Sequence, residues 1–305
     1  MNPIGGTEIV YQTLMRHMGS DWNPDINLIS CICKHERIIP NKINIIWQQL
    51  SYDQDNVKLM GDKTFTDKVD YFVYNSHWAY EKFRNVFNAP EKNSVVIKNS
   101  IDKIQFIPKK NTSKLKLIYT STPWRGLHIL LECFERLNRD DVELDVYSSN
   151  VIYGKAFEEM TKGMYDKLFA RAKSMKNVNY MGYASNAGIR RALQNAHIYT
   201  YPSIFEETSC IAAIEAGAAG CKMLVTNFGA LYETCSDWAS FVTYTKDYDF
   251  LIESYTKELN RTIDSYKHDD VFHKRQSDYY NEFFTWDRKL IEWKTFLSEA
   301  SNAKK

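Results

Sequence analysis

Ile198-Tyr199-Thr200-Tyr201-Pro202-Ser203-Ile204-Phe205-Glu206-Glu207-Thr208-Ser209-Cys210-Ile211-Ala212-Ala213-Ile214-Glu215-Ala216-Gly217-Ala218-Ala219 reads as a strand, a loop and a helix in direct succession. Four β-branched or aromatic residues are stopped by Pro-Ser, Ser209 offers a helix N-cap, and an alanine-rich run follows. The next apolar run, 223–226, is another strand. Working back towards the N-terminus, strands are expected at 115–120, 142–147 and 178–181, with helices at 126–137, 156–175 and 187–194. Strands separated by helices of this length need right-handed crossovers and a sheet covered on both faces. This half is expected to be a doubly wound parallel sheet, with ligands beyond the carboxyl ends of its strands.

The first hundred residues repeat the pattern less regularly. A helix is expected after Thr7, strands at 26–33, 43–50, 71–75 and 94–97, and a helix at 77–87. The glycine pair Gly5-Gly6 arrives with no residues before it for a feeding strand, so this lobe is read as shortened at its start. Pro108-Lys109-Lys110-Asn111-Thr112-Ser113 carries no buried pattern and reads as a linker. After Asp247 two helical stretches are expected, the last with Trp286, Leu290, Trp293 and Leu297 on one stripe.

A chain of 305 residues suits two α/β lobes better than one core. Basic and acidic residues number 39 and 38, a balance that provides no field to hold a nucleic acid. The six cysteines lack paired zinc spacing and read as reduced thiols. Cys31-Ile32-Cys33 is the one close pair, and on a strand both side chains would share a core-facing side. No apolar run is long enough to span a bilayer, and the N-terminus lacks a secretory leader pattern, so a cytoplasmic location is expected. Twenty tyrosines and seven tryptophans leave room for peripheral membrane contact.

Glu207 and Glu215 stand eight apart, about 80° round a helix, so one helix would not aim both at a single point. With Glu207 on the loop and Glu215 inside the helix, the two can grip separate hydroxyl-bearing parts of an extended ligand. The helix start between them offers backbone N–H groups and a positive dipole end suited to a diphosphate. From spacing alone, a surface helix with an alanine face fits equally well.

Tyr201-Pro202-Ser203, Glu207 with seven residues to Glu215, and Ala216-Gly217-Ala218-Ala219-Gly220 resemble the E-x7-E segment of the retaining GT4 glycosyltransferases. In that family the first glutamate is followed by Gly-Phe-Gly, where this chain has Thr208-Ser209-Cys210. Gly5-Gly6-Thr7-Glu8 resembles the family's N-terminal glycine loop. Ser121-Thr122-Pro123-Trp124-Arg125-Gly126-Leu127 resembles its phosphate-binding turn, without the second cation common upstream. Asn177-Val178-Asn179-Tyr180-Met181-Gly182-Tyr183 resembles the segment that reads the base, and Ile97-Lys98-Asn99-Ser100-Ile101-Asp102 resembles the segment joining the lobes. Trp47-Gln48-Gln49 stands where members often carry a histidine near the sugar, so Gln49 could bond a hydroxyl but could not act as a base.

The resemblance implies a GT-B fold of two Rossmann-like lobes: an acceptor-side lobe over 1–108, a nucleotide-sugar lobe over 109–280, and a helix over 281–305 packing back on the first. It implies transfer of a sugar from a UDP-, GDP- or ADP-sugar to a hydroxyl acceptor, carbohydrate or lipid-linked glycan, with retention. Glu207 and Arg125 would carry the chemistry. Gly5, Gly6, Thr122, Gly182, Tyr183, Ser209, Cys210, Ile211 and Glu215 would complete the donor site, with Gln49 and His77 as further substrate contacts. His77 reads alternatively as a helix cap. No metal is expected: Asp53-Gln54-Asp55 and Asp247-Tyr248-Asp249 stand outside the context of a cation-holding Asp-x-Asp, the second at a helix start. Two other readings share the fold, a nucleotide-sugar epimerase and a non-catalytic binding protein.

Overall fold

The computed structural model describes residues 5–151 and 154–303, and readings on Met1–Ile4 lie outside these. The chain forms two compact units. One, the N-terminal unit, comprises Gly6–Asp102, Glu207–Ser209 and Phe283–Lys305; the C-terminal unit includes Lys103–Glu206 and Cys210–Glu282.

In the N-terminal unit, α1 (Gly6–Met18), β1 (Ile26–Ser30), β2 (Ile43–Gln48), α2 (Lys63–Thr66), β3 (Tyr71–Tyr74), α3 (His77–Phe87) and β4 (Ser94–Val96) follow in order. The strands pair in parallel in the order β1-β2-β3-β4, without a reversal. Every residue of β2 is buried, as a strand covered on both faces requires. One face packs Ile29, Ile46, Phe72 and Tyr74 against Phe65 of α2 and Phe83 of α3. On the other, Trp47 meets Trp293 edge-on at 4.8 Å and Tyr71 meets Phe296 at 5.5 Å, both partners coming from the last helix.

The C-terminal unit runs β5 (Leu115–Tyr119), α4 (Leu127–Leu137), β6 (Val142–Val146), α5 (Lys155–Met160), α6 (Asp166–Ser174), β7 (Val178–Tyr180), α7 (Asn186–Asn195) and β8 (Ile198–Tyr201). It continues with α8 (Ile211–Ala218), β9 (Lys222–Thr226), α9 (Leu231–Cys235), β10 (Ala239–Val242), α10 (Tyr248–Asp264) and α11 (Asp270–Phe283), and the last helix is α12 (Trp286–Ala303). The sheet order is β10-β9-β8-β5-β6-β7, all parallel. Chain direction across the sheet reverses between β5 and β8, which creates a switch point there. Central β8 is buried throughout, whereas β7 and β10 at the edges are only partly covered.

Several expectations need correction. The helix expected over 156–175 is two helices, broken at Gly163, which adopts φ +75°. Three helices follow Asp247 rather than two, and β10 went unread because Ala239-Ser240 lacks strand character. Cys31 is not on a strand: β1 ends at Ser30 and Cys31 turns to φ +44°. Both thiols are nevertheless buried, and burial pushes Cys31 up to about 11 and Cys33 up to about 12. The linker reading fails at Lys109, which is only 7% exposed. Its ammonium donates to the carbonyls of Leu193 (2.9 Å), Gln194 (3.2 Å) and Ala219 (2.8 Å), joining the C-terminal ends of α7 and α8. Among the described residues no helix is long and apolar enough to cross a membrane.

Candidate functional site

At the switch point the loops after β5 and β8 come together. Gly126, at φ +115°, lies so close to the β8 loop that a Cβ there would stand 2.1 Å from the Pro202 carbonyl oxygen, so only glycine fits. Immediately before it, Pro123–Arg125 form a helical turn, and the Arg125 guanidinium stacks over the Phe205 ring at 4.1 Å. Thr122 is buried, and its carbonyl accepts from the Tyr119 hydroxyl at 2.8 Å. The Thr122 hydroxyl is buried with no hydrogen-bond partner among the described residues, as are those of Thr120 on the same loop and Ser148 just past β6. These three hydroxyls lie just past the carboxyl ends of β5 and β6. After β8, the Ser203 hydroxyl accepts from the Phe205 amide at 3.2 Å and donates back to its carbonyl at 2.9 Å, shaping the turn.

Helix α8 begins two residues later than expected. Ser209 is buried but is not the cap; Cys210 occupies the N-cap with φ +27° and makes no side-chain cap bond, and Ile211 opens the helix. This is the left-handed region that disfavours a side chain, at the last position of the segment where the resembled family has Gly-Phe-Gly. Glu207, on the preceding loop, is 5% exposed and groups with the N-terminal unit. Glu215, just over one turn into α8, accepts from Arg190 Nε of α7 at 3.0 Å.

Elsewhere, Gly182 adopts φ +66° and Tyr183 beside it is half-exposed. Gly5 is buried and Gly6 opens α1. His77 is the exposed first residue of α3, and the cap role falls to Ser76, whose hydroxyl accepts from the Ala79 amide at 3.0 Å. Gln49, expected as a substrate contact, is buried. Its amide pairs reciprocally with Asn99, at 2.8 Å each way, and accepts from Asn75 at 3.2 Å. Asp247 caps α10 through the Phe250 amide at 3.1 Å, and Asp55 pairs with Lys58, so each triplet has a local structural use. Sequence reasoning missed Phe205, Arg190 and Lys109. Of these only Phe205 carried a local signal, an aromatic beside the paired glutamates.

The family model described as "Glycosyl transferases group 1" matches residues 100–282, more than half of the chain. No curated protein matches in sequence. Among solved structures, the pneumococcal O-GlcNAc transferase GtfA in complex with UDP and GlcNAc superposes with a TM-score of 0.68 at 12% identity, over 97% of this chain and 60% of that one. Anabaena HepE in complex with UDP and glucose gives 0.69 at 13%, over 96% and 82%. Sucrose-phosphate synthase from Thermosynechococcus elongatus gives 0.70 at 12%, over 97% and 79%. At such identities these likenesses are of fold. The chain belongs to the glycosyl transferases group 1 family, and its two parallel-sheet units have the GT-B fold.

Proposed function

We propose that this chain transfers a sugar from a nucleotide-sugar donor to a hydroxyl acceptor with retention of configuration. The observation that carries the reading is the start of α8: a helix N-terminus without a side-chain cap, following the carboxyl end of β8 at the switch point. Such an end stabilises a diphosphate through backbone N–H groups and the helix dipole. Arg125, on the facing β5 loop, would neutralise the departing phosphate, Glu207 would orient sugar hydroxyls and Glu215 the ribose. Gly5, Gly6, Thr122, Gly182, Tyr183, Ser209, Cys210 and Ile211 complete the proposed donor contacts. In a same-face displacement the leaving phosphate takes the acceptor proton, and no metal is needed. Among UDP-, GDP- and ADP-sugars we favour UDP, the nucleotide named in the complexes of GtfA and HepE. The acceptor is a carbohydrate or lipid-linked glycan, the latter with peripheral membrane contact. Six cysteines, all buried, suit a reducing, cytoplasmic setting.

The test is a thermal-shift panel of the three nucleotide-sugar classes, followed by transfer assays on Glu207→Ala and Glu215→Ala. A bound donor raises Tm by mass action. Each variant should lose about 2–4 kcal/mol of transition-state stabilisation, a fall in kcat/KM of roughly 30- to 1,000-fold. Wild-type turnover in both would defeat the assignment. A second reading, a member that binds donor without transferring it, is favoured by the Arg190–Glu215 ion pair, which already engages the carboxylate offered to the ribose. A Tm shift with UDP-glucose but no transfer or UDP release would select it.

A further inference from the structure

Glu207 is buried on the loop between β8 and α8, where it forms an isolated β-bridge rather than part of a strand, so its placement depends also on what anchors the residues beside it. The residue that follows it is Thr208. The Thr208 hydroxyl donates to the Gln49 carbonyl at 3.0 Å and accepts from Asn75 Nδ2 at 3.0 Å. Asn75 Nδ2 also donates to Gln49 Oε1, and Gln49 in turn is locked to Asn99 by two amide bonds. All five residues, Glu207 included, belong to the N-terminal unit.

The orientation of each group in this network is forced. A carbonyl only accepts, so the single Thr208 proton goes to Gln49, and its oxygen must receive from a donor. Asn75 therefore presents its NH2 to Thr208 rather than its oxygen. The same NH2 fixes Gln49 Oε1 as acceptor, which leaves Gln49 Nε2 to donate to Asn99 Oδ1. Asn75, Gln49 and Asn99 are 1%, 8% and 4% exposed, so none of these bonds is exchanged cheaply for water. Asn75 and Gln49 follow the carboxyl ends of β3 and β2, two rigid paired strands, which makes the anchor stiff. Threonine here replaces the first glycine of the resembled Gly-Phe-Gly, and a glycine could make none of these side-chain bonds.

We propose that Thr208, held by Asn75 and the Gln49 carbonyl, is the positioning residue that sets the Glu207 carboxylate against the donor sugar. The inference rests on the reading that Glu207 contacts that sugar, and its test separates the two. The ratio of affinities for UDP-glucose and UDP isolates the contribution of the sugar, without needing turnover. It is measured by titration calorimetry on wild type, Thr208→Val, Thr208→Ala, Thr208→Ser and Glu207→Gln, with GDP-mannose/GDP and ADP-glucose/ADP as further pairs. Glu207→Gln should lower the ratio by about tenfold or more with the diphosphate affinity kept. Thr208→Val and Thr208→Ala should follow it, Ala guarding against a fold defect from Val, while Thr208→Ser, which keeps the hydroxyl, should stay near wild type. A wild-type ratio in Val and Ala, with Glu207→Gln impaired, overturns the positioning role alone. Equal losses of sugar and diphosphate binding in Val, Ala and Ser also overturn it, since they mark a structural role. An unchanged ratio in Glu207→Gln, or no binding of any pair to wild type, removes the parent reading and this inference with it.

Discussion

The two ends of helix α8 are built on opposite principles. At the C-terminal end every one of the last four carbonyls is satisfied. Glu215 and Ala216 receive the amides of Ala219 and Cys221, Gly217 receives Gly220 N–H and the Gln276 amide, and Ala218 receives the Ser277 hydroxyl. The next carbonyl, Ala219, is bound by the buried Lys109 ammonium. Gly220 turns the chain at φ +72°, and Tyr280 of α11 packs where a Gly217 Cβ would stand, 2.2 Å from its ring. At the N-terminal end, by contrast, no side chain caps the helix, and Cys210 holds a backbone conformation that side chains disfavour. Orphan groups are normally capped at both ends of a helix. Closing one with a cation fixes the helix from behind, and the other, without a side-chain cap, is the end where the proposed diphosphate would bind.

The sharpest way to break this contrast is to cap the N-terminal end with a negative charge. Cys210→Asp places a carboxylate where the proposed diphosphate would lie, and aspartate tolerates a left-handed backbone better than most residues. Affinity for UDP-glucose should fall about 100-fold, about 2.7 kcal/mol, with Tm unchanged or raised. Cys210→Ser, a neutral cap, should cost only a few-fold. If Cys210→Asp bound UDP-glucose like wild type in calorimetry, no phosphate would sit at this end.

Undoing the other end should cost stability instead. Lys109→Met keeps the apolar stem and removes the ammonium, leaving the Leu193, Gln194 and Ala219 carbonyls without that donor. Two effects compete. Burial pulls the Lys109 pKa down, so its charge is itself desolvated at a cost. Leu193 keeps the Ala196 amide and the Cys221 thiol as donors, but the Ala219 carbonyl stays buried whatever replaces the lysine, and the ammonium bonds lost outweigh the relief of that desolvation. A loss of about 3 kcal/mol is expected, roughly 6 to 12 °C in Tm. A melting curve superimposable on wild type would mean that the C-terminal end holds without its cation.

These two ends were not equally legible in the sequence. Largely buried parallel strands announce themselves as short apolar runs, which is why β8 could be read to the residue and β5, β6 and β9 to within one residue at one end. The helix, with Glu207 on the loop before it and Glu215 inside it, followed from the alanine run and the Pro-Ser before it. Lys109 could not be found this way. A lysine among polar neighbours reads as solvated, and its burial depends on carbonyls 84, 85 and 110 positions away converging on one point. The Gln49 network has the same character, with partners 26 and 50 residues apart, and so has the Arg190–Glu215 pair, 25 apart. Cys210 shows the opposite limit. Its position was visible, but the glycine-like backbone beneath a cysteine was not, because local preference argued against it.

The smallest expected effect also belongs to the closed end. His197, just before β8, accepts from the Lys116 amide through Nδ1 at 2.9 Å and donates from Nε2 to the Lys110 carbonyl at 2.8 Å. That pattern is possible only for the neutral ring, since the Lys116 amide needs an acceptor. Burial first, then the neighbouring His268, Lys109 and Lys116, hold the His197 pKa below its usual 6.5; Tyr266 and His268 pack edge-on against the ring. His273, on α11 beside Gly220, is lowered as well, by burial first and by Lys109, with Asp269 and Asp270 opposing. Because the folded values are depressed, the unfolded chain takes up protons first as pH falls. The stability these rings provide is therefore complete above pH 6.5 and is lost as pH drops towards and through their folded pKa values. His197→Gln can accept from Lys116 and donate to Lys110 without titrating. Urea midpoints from pH 8 to pH 5 should fall less steeply in this variant, by less than the loss seen in Lys109→Met. An unchanged acid slope would show that His197 carries none of the proton uptake, and that the closed end draws its stability from hydrogen bonds indifferent to pH.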